Sequence, residues 1–173
     1  MQPARKLLRN RAGNVAVEFA ILLPLIITLS FGLFEGSQAI MAYMKLVDAT
    51  QTIADLTTQQ QTVASTDIDN FYLAGQLVMR PYAGGSLGIA VTSVTFDINT
   101  GAAAQAWQDT RNANPMNNAT TLAAGYGGKG ESVVIVQGTY SYSGFLHYVL
   151  PRSLTMTQLA FSRPRLVASI PHS

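Results

Sequence analysis

The run "FAILLPLIITLSFGLF", residues 19–34, contains no charged side chain. With Val15, Ala16 and Val17 in front of it, the apolar stretch approaches 20 residues, or about 30 Å as a helix, which is enough to cross the hydrocarbon core of a bilayer. Arg5, Lys6, Arg9 and Arg11 all lie on its N-terminal side, and Glu35 follows it. The positive-inside bias therefore places the N-terminus in the cytoplasm and the C-terminal body across the membrane.

Composition agrees with that constraint. Charged residues are 12% of the chain and mean hydropathy is positive, about half the charged fraction of an average soluble domain. Four of the eleven basic residues precede Gly13, so seven remain against nine acids. The body is thus mildly acidic and presents no basic face, which excludes nucleic acid as a partner class. With no cysteine in the chain, disulfides and thiolate metal sites are excluded as well. The 173 residues suffice for one membrane segment and one modest core.

Three readings fit the N-terminal third. A cleavable secretion signal would end at "SQA", Ser37 to Ala39, although Glu35 lies between the apolar core and that cut. A plain signal anchor asks nothing special of Gly13 or Glu18. The third reading turns on "AGNVAVEF", in which a glycine closes the basic leader and a glutamate is the fifth residue after it. That pattern resembles the type IV prepilin signature. More closely, "GNVAVEFAILLPLIITLSFGLFEGSQA" resembles the start of TadE-like proteins, pseudopilins of the tight-adherence (Flp) pilus system. The matching elements are Gly13, the block Ala16 to Ala20, the proline-containing Leu22 to Leu25, and the exit at Phe31, Gly32 and Glu35. "TYSYSGF" and "LTMTQLAFSRPR" resemble the end of such domains more loosely.

The resemblance implies cleavage by a prepilin peptidase between Gly13 and Asn14. It also implies partners among other pilins and minor pilins, the inner-membrane pilus assembly platform and membrane lipid. It assigns Glu18 an assembly role, neutralising the N-terminal amine of a neighbouring subunit. The chemistry is coherent, since a carboxylate at mid-bilayer costs roughly 2.5–3.5 kcal/mol on insertion scales unless it is paired. Cleavage would create such a cation on Asn14. The alternative is a Glu18 that marks the membrane boundary and reaches the headgroups. Pro24 removes a backbone donor within the span and is expected to kink the helix.

Downstream, the spacing predicts an α+β protein. A long N-terminal helix, half membrane-spanning and half amphipathic stalk, should precede a small head with a short helix and an antiparallel sheet of about four strands. The segments are a basic leader at 1–13, a transmembrane pilin-like helix at 14–36, a stalk at 37–66 and a head at 67–173. Leu46, Ile53, Leu56 and Val63, with Ile40, Tyr43, Met44 and Val47, recur near helical period along the stalk. This face is expected to pack on the head, or else on other subunits. Thr66, followed by Asp67 and Asp69, reads as the start of a second helix running to about Arg80, before Pro81. Its buried positions should be Ile68, Phe71, Tyr72 and Val78. "LGIAVTSVTFDIN" reads as a strand with room for a bulge or a bend between Val91 and Val94, where the apolar parity changes. "NTG" at 99–101 should turn into the returning strand "AAAQAWQDT", and "ESVVIVQGTYSY" and "SLTMTQLAFS" are further strands.

Chemistry-bearing motifs are few. "GYGGKG" at 125–130 precedes a strand, whereas a dinucleotide fingerprint follows one. "DIDN" at 67–70 lacks the remaining ligands and the glycine of a calcium loop. His147 and His172 fall in no metal-ligand or nucleophile pattern. We therefore expect no enzyme, no cofactor and no catalytic residue. The alternatives to a pilus component are an unprocessed single-span protein with a periplasmic binding head and a secreted β-rich protein. N-terminal sequencing of the mature protein separates the three: Asn14 supports the pilin reading, an intact leader the anchor, and Ile40 the secreted protein.

Overall fold

The computed structural model describes residues 11–144 and 153–173, and of residues 11–14 only the backbone. Helix α1 spans Arg11–Thr58, 48 residues, or about 72 Å at 1.5 Å per residue. Helix α2 (Ser65–Val78) turns back along it, and a short 3-10 turn at Gly84–Ser86 leads into the sheet. Strands β1 (Leu87–Phe96), β2 (Ala103–Arg111), β3 (Ser132–Tyr142) and β4 (Leu154–Ser162) follow, with the single-turn helix α3 (Ala119–Leu122) between β2 and β3. All neighbouring strands are antiparallel, in the order β2-β1-β3-β4. The expected α+β architecture is therefore present, with its four strands.

From Glu35 onward α1 lies against the sheet. Its buried positions include Glu35, Ala39, Ala42, Leu46, Ala49 and Ile53, at alternating spacings of four and three, with Thr50, Ala54, Thr57 and Thr58 beside them. That alternation keeps one narrow face turned inward. Most of these side chains are small, so the helix backbone comes close to β3, where Gly138 meets it. A Cβ on Gly138 would collide with Thr50 Oγ1 and crowd Leu46. The buried threonines bring no unpaired hydroxyl into this seam. Thr50, Thr57 and Thr58 donate to the carbonyls of Leu46, Ile53 and Ala54 at 2.7, 2.8 and 2.9 Å.

This face differs from the one expected. Leu46 and Ile53 are buried and Leu56 is packed at the core's edge, but Ile40 and Met44 point outward and are 65% and 60% exposed. Residue size suggested the wrong stripe, because the sheet selects alanines where it needs close approach. The helix also ends at Thr58, short of the expected continuation through the mid-sixties. No proline or glycine stops it. Instead Arg165 N–H caps the Thr58 carbonyl at 3.1 Å, and Val63 pairs with the C-terminal segment, donating to Pro171 O at 3.0 Å and accepting from Ser173 N–H at 3.1 Å. Helix α2 begins one residue before Thr66, with Ala64 at its N-cap. Asp67 reaches back to accept the Ala64 N–H at 2.9 Å, the role of the acidic member of a capping box. Ile68, Phe71 and Gly75 are buried on one face of α2, with Tyr72 and Val78 half-buried beside them.

Strand β1 is apolar on both faces because both are covered. Leu87, Ile89 and Val91 join Val134, Val136, Tyr140 and Tyr142 under α1 and α2. Val94 and Phe96 join Val133 and Ile135 on the opposite face, beneath Met116, Ala119 and Ala123. The parity change therefore does not come from an extra residue in β1, whose register with β3 is unbroken. The irregularity is in β2: Ser93 pairs with Trp107 and Val94 with Gln105, which leaves Ala106 as the extra residue. The turn after β1 falls where expected, with Asp97 accepting from the backbone of Asn99 and Thr100 and Gly101 at φ +76°. Leu46 sits at the tightest part of the helix–sheet seam. We predict that Leu46→Ala lowers the stability of the head by about 2–5 kcal/mol, measured by denaturant unfolding in detergent, with Leu25→Ala as the neutral comparison.

Candidate membrane and assembly segment

Before it meets the sheet, α1 projects alone. Every described residue from Val15 to Phe31 is exposed, including Val17, Phe19, Ile21, Leu25, Leu29 and Phe31. This is the one helix among the described residues long and apolar enough to cross a membrane, and none of its most apolar window is buried. In water such a surface would be an unmet hydrophobic cost of about 25 cal/mol per Å². In lipid it is the ordinary exterior of a spanning helix. The chain thus fits a single-span membrane protein, with the head on the C-terminal side.

Gly13 and Asn14 lie within the helical backbone of this segment, and Glu18 is exposed on its lateral surface one turn further on. Pro24 sits inside the helix, which continues through it. Thr28 Oγ1 donates to Pro24 O at 2.8 Å, and Ser30 donates to Ile26 O at 2.8 Å, so both hydroxyls are satisfied within the helix. Gly13, Asn14, Glu18 and Pro24 all lie on the part of α1 that precedes its contact with the sheet.

A second feature lies where the helix enters the head. Glu35, the acid that closes the apolar run, is only 1% exposed. Tyr142, near the end of β3, donates its hydroxyl to Glu35 Oε1 at 3.1 Å. The backbone of Gly144 crosses directly over the same carboxylate, and a Cβ there would collide with it. One turn along α1, Gln38 accepts from Tyr82 OH through both its backbone and side-chain oxygens at 3.1 Å. The Tyr82 and Tyr142 rings meet edge to face with centroids 6.3 Å apart. Burial and then the hydrogen bond to Glu35 push the Tyr142 phenol up to about 12. The sequence alone marks Glu35 only as the end of the span. Its burial follows from the stripe it shares with Ala39, which only the packing against the sheet selects.

The remaining titratable cluster lies on the head, where β2 meets the start of α2. Asp109 accepts from Ser65 Oγ at 2.6 Å and pairs with Arg111, which also binds Asp69 at 2.5 Å, while His172 Nε2 lies 3.5 Å from Asp109. Burial works against the Asp109 charge, but the hydrogen bonds from Ser65 and Arg111 and the Arg111 charge hold its carboxyl below the usual carboxylate range. Through these contacts the cluster fastens α2 and the C-terminal segment to the sheet. Among the described residues no group of three or more histidines, cysteines or acids could hold a metal ion. His147 lies outside the described residues. "GYGGKG" forms a loop ahead of β3 in which Gly127 packs beneath the Phe96 ring.

Comparison with known proteins bears on the same helix. Residues 13–55 match the family model described as TadE-like protein, so the match begins at Gly13 and runs through the span into the part of α1 that packs on the sheet. The match covers only that segment of the chain. No curated protein and no solved structure matches.

The Tyr142 phenol gives the seam a measurable signature. Its pKa is raised above the ordinary value of about 10, so its contribution to stability is complete below pH 10 and is lost as pH rises from about 10 to about 12. We predict that an ultraviolet tyrosine titration in detergent shows a late-ionising phenol that disappears in Tyr142→Phe. The same variant should lose about 1.5–3 kcal/mol, the usual worth of a hydrogen bond to a charged group. Superimposable titrations of the two proteins would contradict the assignment.

Proposed function

Starting from its TadE-like segment, we propose that this chain is a minor pilin or pseudopilin of a tight-adherence (Flp-type) pilus. In this reading the basic leader directs insertion, and a prepilin peptidase removes it between Gly13 and Asn14. Helix α1 then holds the head on the periplasmic side of the inner membrane until the helix joins, primes or caps a filament. Its partners are other pilins and minor pilins, the assembly platform and membrane lipid, and its output is pilus assembly and surface adhesion. The head has no catalytic part in this scheme, and neither cofactor nor nucleic acid enters it.

The observation that carries the proposal is the family match that opens at Gly13 and runs along a helix whose described surface from Val15 to Phe31 is left uncovered by the head. A pilin helix needs both a processing point at its start and a lateral surface free for lipid and then for neighbouring subunits. Glu18 lies near the start of that surface, five residues after Gly13. A new Asn14 amine on an adjacent subunit would offset the cost of its charge in an apolar surrounding. Pro24, which removes one helical hydrogen bond, is then a point where α1 can loosen on leaving the bilayer. The reading as a head released after Ala39 is disfavoured, because Glu35 and Ala39 belong to the same buried stripe as Leu46.

The test is Glu18→Ala in a host that carries the pilus machinery. Processing to Asn14 should continue, while incorporation into pili should fall by about tenfold or more, the factor that corresponds to about 1.4 kcal/mol. The variant should accumulate in the inner-membrane fraction. Unchanged piliation and partition with normal processing would remove the assembly role from Glu18.

A further inference from the structure

The uncharged surface of α1 is longer than its uncharged sequence. By sequence the apolar run ends at Glu35, but that side chain is turned inward and covered by Tyr142 and Gly144. The outward face continues through Ile40, Met41 and Met44, which are 65%, 44% and 60% exposed. The first charges beyond them are Lys45 and Asp48. From Phe19 to Met44, α1 therefore presents no ionisable carboxylate or cation to its surroundings, over about 39 Å of helix. A hydrocarbon core is about 30 Å thick, and the full bilayer with headgroups about 40–45 Å.

The polar groups in this stretch are arranged to match. Exposed hydroxyls at Thr28, Ser30 and Ser37 each donate to a carbonyl of their own helix, those of Pro24, Ile26 and Phe34, at 2.8, 2.8 and 2.7 Å. Gln38 is held by Tyr82, and Tyr43 OH donates to Gln158 Oε1 of β4 at 2.8 Å. Such internal satisfaction is what a lipid-facing helix requires. Beside the helix, Leu154 opens β4 opposite Tyr142, the residue bonded to Glu35, and is itself exposed. An apolar side chain of the sheet thus stands level with the helix exit.

We infer that the membrane-proximal rim of the head is immersed in the bilayer, with lipid contacting Ile40, Met41 and Met44 beyond the nominal end of the span. The Glu35–Tyr142 seam is the device that permits this, since an outward carboxylate at that depth would hold the head away from the membrane. The inference rests on the proposed membrane crossing and adds the depth at which the head sits. A second copy of the helix could also cover these residues. Lipid is favoured because the apolar surface is continuous with the span and stops at the first charged turn.

The chain has no cysteine, so single spin labels report without background. Full-length Leu25→Cys, Ile40→Cys, Met44→Cys, Asp48→Cys and Gln51→Cys proteins, reconstituted in phosphatidylethanolamine–phosphatidylglycerol vesicles, are compared by collision with oxygen and with a water-soluble nickel chelate. The labels at Leu25 and Ile40 should favour oxygen, Met44 should be intermediate, and Asp48 and Gln51 should favour nickel, with a several-fold change in the ratio between Ile40 and Asp48. Labels at Ile40 and Met44 as nickel-accessible as Asp48, with Leu25 still in lipid, would overturn the immersion and leave the anchor standing. A water-accessible Leu25 would overturn the anchor itself. Labels at Ile40 and Met44 shielded from both reagents, with dipolar broadening between copies, would replace lipid with a protein neighbour.

Discussion

The close seam between α1 and β3 is the contact on which the rest of the head depends. Ala39, Ala42, Ala49 and Thr50 bring the helix backbone toward Gly138, while Leu46 and Ile53 fill the space on either side. A helix held that near to a sheet cannot rotate without driving side chains into backbone. Its inward face is fixed, and so is the outward face that continues from the projecting apolar segment. Helix α2, the C-terminal segment at Val63 and the cap on Thr58 all close around this pair. The membrane helix and the head are therefore not a domain and a tether. One continuous helix, Arg11–Thr58, is shared by both.

Two carboxylates on this helix meet opposite circumstances. Glu18 stands exposed on the lateral surface of the projecting segment. Glu35 is enclosed by the head, bonded by Tyr142 and covered by the Gly144 backbone. A buried carboxylate is tolerated when it is hydrogen-bonded, and here its concealment also removes a charge from the outer surface at the membrane exit. The first residue belongs to the proposed assembly chemistry. The second belongs to the joint between α1 and the end of β3.

Much of the fold was legible from pattern alone. The uncharged run, the basic leader and the strands at 87–96, 103–111, 132–142 and 154–162 have strong local periodicity or composition. The buried residues Ile68 and Phe71 of α2 follow from helical spacing, as do Val134, Val136, Tyr140 and Tyr142 of β3 from alternation. Less legible were features decided by partners far along the chain. Thr58 ends α1 because Arg165 caps it, and Ala64 precedes α2 because Asp67 turns back. The bulge lies in β2 at Ala106, while β1 owes its two apolar faces to a second core beneath α3.

What the sequence by itself determined is where the chain can meet lipid and which orientation is expected of it. Both follow from summed hydropathy and charge, properties that each residue carries into any conformation. The order in which Gly13, Glu18 and Pro24 occur is likewise written in the chain, and so is the family likeness that rests on it. Only the tertiary structure decided which stripe of α1 turns inward. Local pattern ranks Ile40 and Met44 above Ala39 and Ala42 as buried residues, yet it is the alanines that turn inward. The same packing concealed Glu35, because the residues that enclose it, Tyr142 and Gly144, are more than a hundred positions away in sequence.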